Sequence, residues 1–431
     1  MSFFQRKQDG SPRLKTTASR TLATLLFAGA AVCATAKQAG SPDLAALLGA
    51  RPHYLVDQLR EGPLKNRLKR CVSTIGSFKP SDFSIGHRGA ALMFPEHTEE
   101  SYRAAARMGA GIVECDVTFT KDRELVCRHD QCDLHATTDI VATPLAGKCE
   151  VPPVVVDDVL TNAPAVQCCT SDITLAEFKT LAARMNGVNR AANSIADYLK
   201  TTPRPGQELQ GSGIGTPLSH AEAVELFKEL GVGMTPELKI PRVEMPYQRD
   251  YTQQDYARQL VDELIAAGVD PRRVWLQSFL YEDVLYWIEN YPDFASQVVF
   301  LDGRYDTDVN DPSEVAALKP SMSEMAAAGV KILAPPMYMM LGVDKGQIIP
   351  SVYAEAAKDA GLDLIGWTTE RSGKLEVGGG GFYYSTVREV IRNDGDILGV
   401  IDVLAREVGV IGLFSDWPAT TTFYANCMSI Q

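Results

Sequence analysis

Short apolar runs alternate with amphipathic stretches along most of this chain, and that alternation limits its fold more than any other feature. Runs with strand character are Phe83–Arg88, Gly111–Thr118, Glu124–His129, Val232–Ile240, Arg273–Phe279, Gln297–Leu301, Lys331–Ala334, Leu362–Thr369 and Gly412–Asp416. Helical patterns fall between most of them. Thr174 with Glu177, and Ser219 with Glu222, have the spacing of a capping box, while Gly109, Gly231, Gly268 and Gly361 stand where helices should stop. Strand–helix alternation implies a parallel sheet, either closed into a barrel or open. The nine candidates exceed the eight slots of a barrel. Thr120–Glu124 is too short to hold a crossover helix, so the strands on either side of it are expected to form a hairpin. Residues 131–217 hold no clear strand series but carry four cysteines, a proline-rich patch and Gly211-Ser212-Gly213. They read as a long insertion on one loop. With 431 residues, 45% of them hydrophobic, the chain fits one large α/β domain better than two small ones.

The first 36 residues are of another kind. Arg6, Lys7, Arg13, Lys15 and Arg20 precede a small apolar run, Thr21–Ala36, that ends in Ala34-Thr35-Ala36. This is the layout of a secretory signal peptide with an A-x-A cleavage site, so the protein is expected to be exported, to a periplasm or to the extracellular medium. Residues 37–80 read as a polar lead-in and 81–431 as the main domain. No later apolar run is long enough to span a membrane. The formal net charge of −12 and the lack of any basic run argue against nucleic acid as a partner. Cys33 lies in the leader; the other eight cysteines suggest disulfides in an exported protein, with Cys132, Cys149, Cys168 and Cys169 expected to pair among themselves.

The chemistry gathers at strand ends. His87-Arg88-Gly89 ends the first strand, His129-Asp130 the third, Glu237-Leu238-Lys239 the fourth and Ser415-Asp416 the last; Trp367 lies near the end of a late strand. In a TIM barrel these ends converge on one face. Residues two apart in a strand point the same way, so Glu114 and Asp116 aim together while Cys115 points away. Glu237 would complete an oxygen-rich site for a hard divalent cation. Arg88 and Lys239 suit phosphate oxygens. His87 and His129 suit proton transfer near neutrality.

These motifs resemble the glycerophosphodiester phosphodiesterase family. The segment IGHRGAALMFPEHTEESYRAAARMGAGIVECDVTFTKDRELVCRHD (Ile85–Asp130) is similar to its opening pattern, and PELK (Pro236–Lys239), LQSF (Leu276–Phe279), GWTT (Gly366–Thr369) and SDWP (Ser415–Pro418) continue it. The resemblance implies a TIM (β/α)8 barrel, here with a long cysteine-bearing insertion after the third strand. It also implies one divalent ion, Ca2+ or Mg2+, on Glu114, Asp116 and Glu237. His87 and His129 are then the acid–base pair, with Arg88, Lys239 and Trp367 against the substrate and Glu96, His97, Gln277 and Asp416 in support. Two departures stand out: His97 replaces the usual Asn of a P-E-N-T motif, and Arg123 replaces the glycine of a T-x-D-G turn.

The expected activity is hydrolysis of small glycerophosphodiesters to glycerol 3-phosphate and an alcohol. A lysophospholipase D or phospholipase C type of activity on lipid phosphodiesters is the nearest alternative; an exposed apolar rim at the pocket would favour it. A non-catalytic barrel that binds a phosphorylated ligand is the alternative of another class. The sequence leaves the oligomeric state open.

Overall fold

The computed structural model describes residues 48–75, 77–200, 214–378 and 380–430. The expected leader and Gly211-Ser212-Gly213 lie outside the described residues. Nine strands carry the architecture: β1 (Ser81–Gly86), β2 (Ala110–Phe119), β3 (Leu125–Cys127), β4 (Gly233–Leu238), β5 (Gln277–Ser278), β6 (Val299–Leu301), β7 (Ile332–Ala334), β8 (Asp363–Gly366) and β9 (Gly412–Ser415). Eight pair in parallel around a closed ring, β1-β2-β4-β5-β6-β7-β8-β9 and back to β1. The ninth, β3, runs antiparallel to the far half of β2, with Val117 opposite Cys127 and Phe119 opposite Leu125. The expected hairpin is therefore present, and the chain folds as a TIM barrel.

Several strands are shorter than their apolar runs. Pro271–Arg273 forms a 3-10 turn capped by Asp270, and only Gln277–Ser278 remains of the fifth candidate. Lys239 and Trp367 lie just past the strands expected to contain them. At the mouth the backbone turns toward loops: Met337 N–H, from the loop after β7, donates to Trp367 O. These side chains are thus carried on strand exits, not on the ladders.

Alternation within the strands divides the apolar residues. Ile85, Ile112, Val299, Leu301, Ile332, Ala334, Ile365 and Phe414 fill the barrel interior. Neighbours one position away, such as Val113, Leu333, Leu364 and Leu413, pack outward beneath the helices. Both capping boxes form, at Thr174–Glu177 and Ser219–Glu222. Gly231 ends its helix in the left-handed conformation, at φ +69°.

The insertion builds its own small core around Leu134, Ile140, Phe178 and Tyr198. Cys132–Cys169 and Cys149–Cys168 staple it. Cys115–Cys127 ties β2 to β3 on the outward face. Cys71–Cys427, with a sequence separation of 356, joins the lead-in helix Pro63–Thr74 to the last helix, Ala419–Met428. At Gly395, before the helix Asp396–Val403, a Cβ would fall 2.4 Å from Leu59 N and 2.5 Å from Gln58 C, so the lead-in chain rests directly on bare backbone.

Removing the Cys71–Cys427 bridge with the Cys71→Ser/Cys427→Ser pair should cost about 2–5 kcal/mol in denaturant unfolding, because it frees most of the unfolded chain. Gly395→Ala should cost roughly 1–3 kcal/mol by overpacking. An unchanged unfolding midpoint in both variants would show that the lead-in contributes nothing to the stability of the barrel.

Candidate active site

The site begins where β1 ends. Gly89 sits at φ +86° with Ser101 pressed against it: a Cβ there would meet Ser101 Oγ at 2.4 Å and its carbonyl carbon at 2.7 Å. Only glycine lets the chain double back so closely. Arg88 and His97 also occupy the left-handed region, at φ +59° and +58°. Such residues store strain unless their surroundings hold them. Here Arg88 N–H donates to Glu114 Oε2 at 3.0 Å, and His97 N–H donates to Arg88 O at 3.1 Å. The P-E-H-T segment is thereby locked against the H-R-G turn, and Thr98 Oγ1 caps the following helix by accepting from Ser101 N–H.

Strand register sets the acidic centre. Asp116 on β2 lies beside Glu237 on β4, and Glu237 lies beside Gln277 on β5. Glu114 comes from two residues earlier on β2. Oxygen atoms of Glu114, Asp116 and Glu237 all lie within 4.8 Å of one another, and all three residues are buried. Gln277 Nε2 donates to Glu114 Oε1 at 3.0 Å, and Lys239 Nζ pairs with Glu237 Oε1 at 2.5 Å. Asp116 Oδ1 is buried and accepts no hydrogen bond.

These carboxylates cannot all hold charge without help. Burial, then the charges of Asp116 and Glu237, push Glu114 well above the usual carboxylate range. Burial pushes Glu237 up to about 8 against the pull of Lys239, with Asp116 adding to the rise. Asp116 goes the other way: burial resists its ionisation, yet Lys239 and His97 hold it well below the usual range. Three converging oxygen ligands, one with an unused buried lone pair, fit the needs of a hard divalent cation.

His97, at the departure from the P-E-N-T motif, supplies a hydrogen-bond donor to the acidic centre. His97 is fully buried behind the pocket; its Nε2 donates to Asp116 Oδ2 at 2.8 Å, and its Nδ1 meets Tyr102 Oη at 3.0 Å. Burial lowers its pKa, so the ring acts as a fixed neutral donor and holds one face of a carboxylate. The missing glycine at Arg123 is likewise tolerated: Arg123 takes φ +66°, and its guanidinium ion-pairs with Asp250.

His87 Nδ1 lies 3.0 Å from Asp416 Oδ1, and its Nε2 lies 3.8 Å from Glu114 Oε2. A carboxylate at Nδ1 selects the tautomer with its proton there and leaves Nε2 with a lone pair. Burial depresses His87 to about 4 despite Asp416. Burial also lowers His129, with Arg88 and Lys239 adding to the effect. Arg88 Nη1 donates to both oxygens of Glu96 at 3.2 Å, and Trp367 Nε1 donates to Ala334 O at 2.9 Å, which orients the indole.

His87, Arg88, Glu114, His129, Glu237, Lys239 and Trp367 line one cavity of about 520 Å³. Asp116, Glu96, His97, Gln277 and Asp416 stand behind them through the contacts above. The structure also brings in residues that sequence reasoning missed. Arg371 lines the cavity, and its Nη2 donates to Asp416 Oδ1 at 2.7 Å. It lies only four residues past Trp367, so proximity to the G-W-T-T motif was an available signal. Asn186, from the insertion, lines the cavity and donates to Glu96 Oε1 at 3.2 Å; nothing in the sequence marked it. Phe279, Leu301, Tyr305, Phe382, Tyr383 and Phe414 complete the wall.

Among the described residues, no helix is long and apolar enough to cross a membrane. The profile of the glycerophosphoryl diester phosphodiesterase family matches residues 87–420. An Arthroderma benhamiae relative named "Extracellular protein" is 44% identical over 249 residues, which is 57% of this chain and 100% of that one. A Mycobacterium tuberculosis relative named "Probable glycerophosphodiester phosphodiesterase 1" is 51% identical over 49 residues, 11% of this chain and 18% of its own length. A crystal structure from Silicibacter pomeroyi, which its name assigns provisionally to the glycerophosphoryl diester phosphodiesterases, superposes with a TM-score of 0.51. It has 18% identity and covers 78% of this chain and 90% of its own, a likeness of fold. With its barrel closed and the family profile matching nearly all of it, the chain belongs to the glycerophosphoryl diester phosphodiesterase family and is a phosphodiesterase.

Proposed function

We propose that this protein is an exported enzyme that hydrolyses glycerophosphodiesters to glycerol 3-phosphate and an alcohol. One observation carries the reading: a cluster of three buried carboxylates adjoins a single cavity that two histidines and the cations of Arg88 and Lys239 also line. Glu114, Asp116 and Glu237 are the residues that would hold Ca2+ or Mg2+. When bound, such an ion supplies Lewis-acid stabilisation of phosphate charge. Export is supported by the leader pattern and the four disulfides.

The chain's own groups divide the remaining work. Arg88 and Lys239 bind phosphate oxygens and share the charge that grows on them. His87, neutral and with Nε2 free, takes the proton from an attacking hydroxyl. As the new phosphorus–oxygen bond forms, the bond to the departing alcohol breaks, and His129 protonates that oxygen. A phosphodiester anion held by Arg88 and Lys239 would favour the protonated form of His129, acting against its burial and the pull of those two cations. By family resemblance the attacker is the neighbouring glycerol hydroxyl, and water then opens the cyclic phosphate. Asp416, fixed by Arg371 and by Thr368 Oγ1 at 3.1 Å, holds His87 in its tautomer.

A lysophospholipid substrate is the second reading. Tyr305 and Phe382, at the cavity, are 41% and 46% exposed, the apolar rim that such a substrate would use.

His87→Ala and His129→Ala should each lower kcat/KM on glycerophosphocholine by about 10²–10⁴-fold with little change in melting temperature. Normal turnover in both variants would end this mechanism. Adding Ca2+ or Mg2+ to chelator-treated protein should raise the melting temperature, by about 2.7 kcal/mol of stabilisation at a hundred times the dissociation constant. Glu237→Gln should remove that response. A wild-type melting curve indifferent to both ions would exclude the carboxylates as a cation site.

A further inference from the structure

One half of the cavity has no part in the proton transfers or in holding charge. Trp367 stands in edge contact with Tyr305 and Tyr383, at centroid distances of 6.3 and 5.9 Å and interplanar angles of 77° and 74°. Phe382 meets Tyr305 at 5.6 Å and 90°, and Tyr383 at 5.2 Å and 80°. The four rings close a cycle of contacts, each steeply inclined to the next, and all four line the cavity. Phe279 also touches Trp367, but Lys239 Nζ stands 5.9 Å over its ring, so its face already serves a cation. Lys239 also pairs with Glu237.

Tyr305 and Phe382 remain 41% and 46% exposed at a cavity mouth, a placement that leaves apolar area for a ligand to cover. A ring face carries negative potential and attracts a cation within about 6 Å. The carboxylates that line the cavity, Glu114 and Glu237, are committed to the acidic centre. A primary ammonium needs hydrogen-bond acceptors for three N–H groups. A quaternary ammonium has none to satisfy, and its methyl surface packs on rings directly.

We propose that Tyr305, Trp367, Phe382 and Tyr383 form an aromatic enclosure that selects a trimethylammonium head group on the alcohol side of the phosphodiester. This rests on the reading of the cavity as a phosphodiester-cleaving site, and it names the head group that the site prefers. The head group can come from a deacylated diester or from a lysophospholipid, since both carry it.

The test compares kcat/KM across glycerophosphocholine, glycerophosphoethanolamine, lysophosphatidylcholine and lysophosphatidylethanolamine, for wild type and for Tyr305→Leu and Phe382→Leu. Leucine keeps apolar bulk and removes the ring. The choline forms should exceed the ethanolamine forms by about tenfold in wild type, and the ratio should fall toward one in the leucine variants. If the ratio holds only within the lysophospholipid pair, the enclosure stands and the source is a lipid. Equal rates on both head groups, a ratio that survives both leucine changes, or rates that follow the acyl chain alone would overturn the proposal. Saturation-transfer NMR with tetramethylammonium reads the enclosure without turnover. Contact with the wild type, lost in Phe382→Leu, supports it even if no diester is cleaved, a result that would refute only the hydrolytic reading. No contact would overturn the enclosure alone.

Discussion

The mutual repulsion of three carboxylates buried at the mouth of the barrel is the constraint around which the rest is arranged. Glu114, Asp116 and Glu237 leave water together, a placement that costs far more than any single packing contact returns. Each is compensated differently. Gln277 and the backbone of Arg88 donate to Glu114, His97 and Lys239 hold Asp116 ionised, and Lys239 pairs with Glu237. The remaining deficit is the property that makes the cluster useful, because an uncompensated oxygen-rich site is one a divalent cation can complete.

That arrangement depends on backbone turns of unusual shape. Arg88 and His97 adopt left-handed conformations, and Gly89 permits contact with Ser101 that no side chain would allow. The strain is held by the same bonds that position the site: Arg88 N–H reaches Glu114, while His97 reaches both Arg88 O and Asp116. Geometry and function are therefore coupled. Asp416 plays the matching part on the other side, where Oδ1 accepts from His87 and from Arg371 at once.

The insertion is more than decoration of a loop. It has its own apolar core and two disulfides, yet it sends Asn186 into the cavity wall. Its core is small, and covalent cross-links replace the burial that a segment of this size cannot supply. Other lining residues are aromatic, and Tyr305 and Phe382 among them are partly exposed. One cavity thus joins charged side chains to aromatic ones.

Periodicity and spacing in the sequence determined the alternating architecture, the hairpin at Thr120–Glu124, both capping boxes and the common aim of Glu114 and Asp116. All of these follow from interactions between near neighbours along the chain. The strand-end residues that the structure brings to one cavity were legible for the same reason, since each lies in a compact local motif. Tertiary structure alone decided the rest. Closure of the ring set the register that puts Asp116 beside Glu237 and Glu237 beside Gln277. It chose which cysteines pair, how His97 serves Asp116, and that Arg371, Asn186 and Tyr305 face the same cavity. Such contacts join residues tens to hundreds of positions apart, and no local pattern encodes them, because a side chain's partners across a barrel depend on the stagger of every strand between.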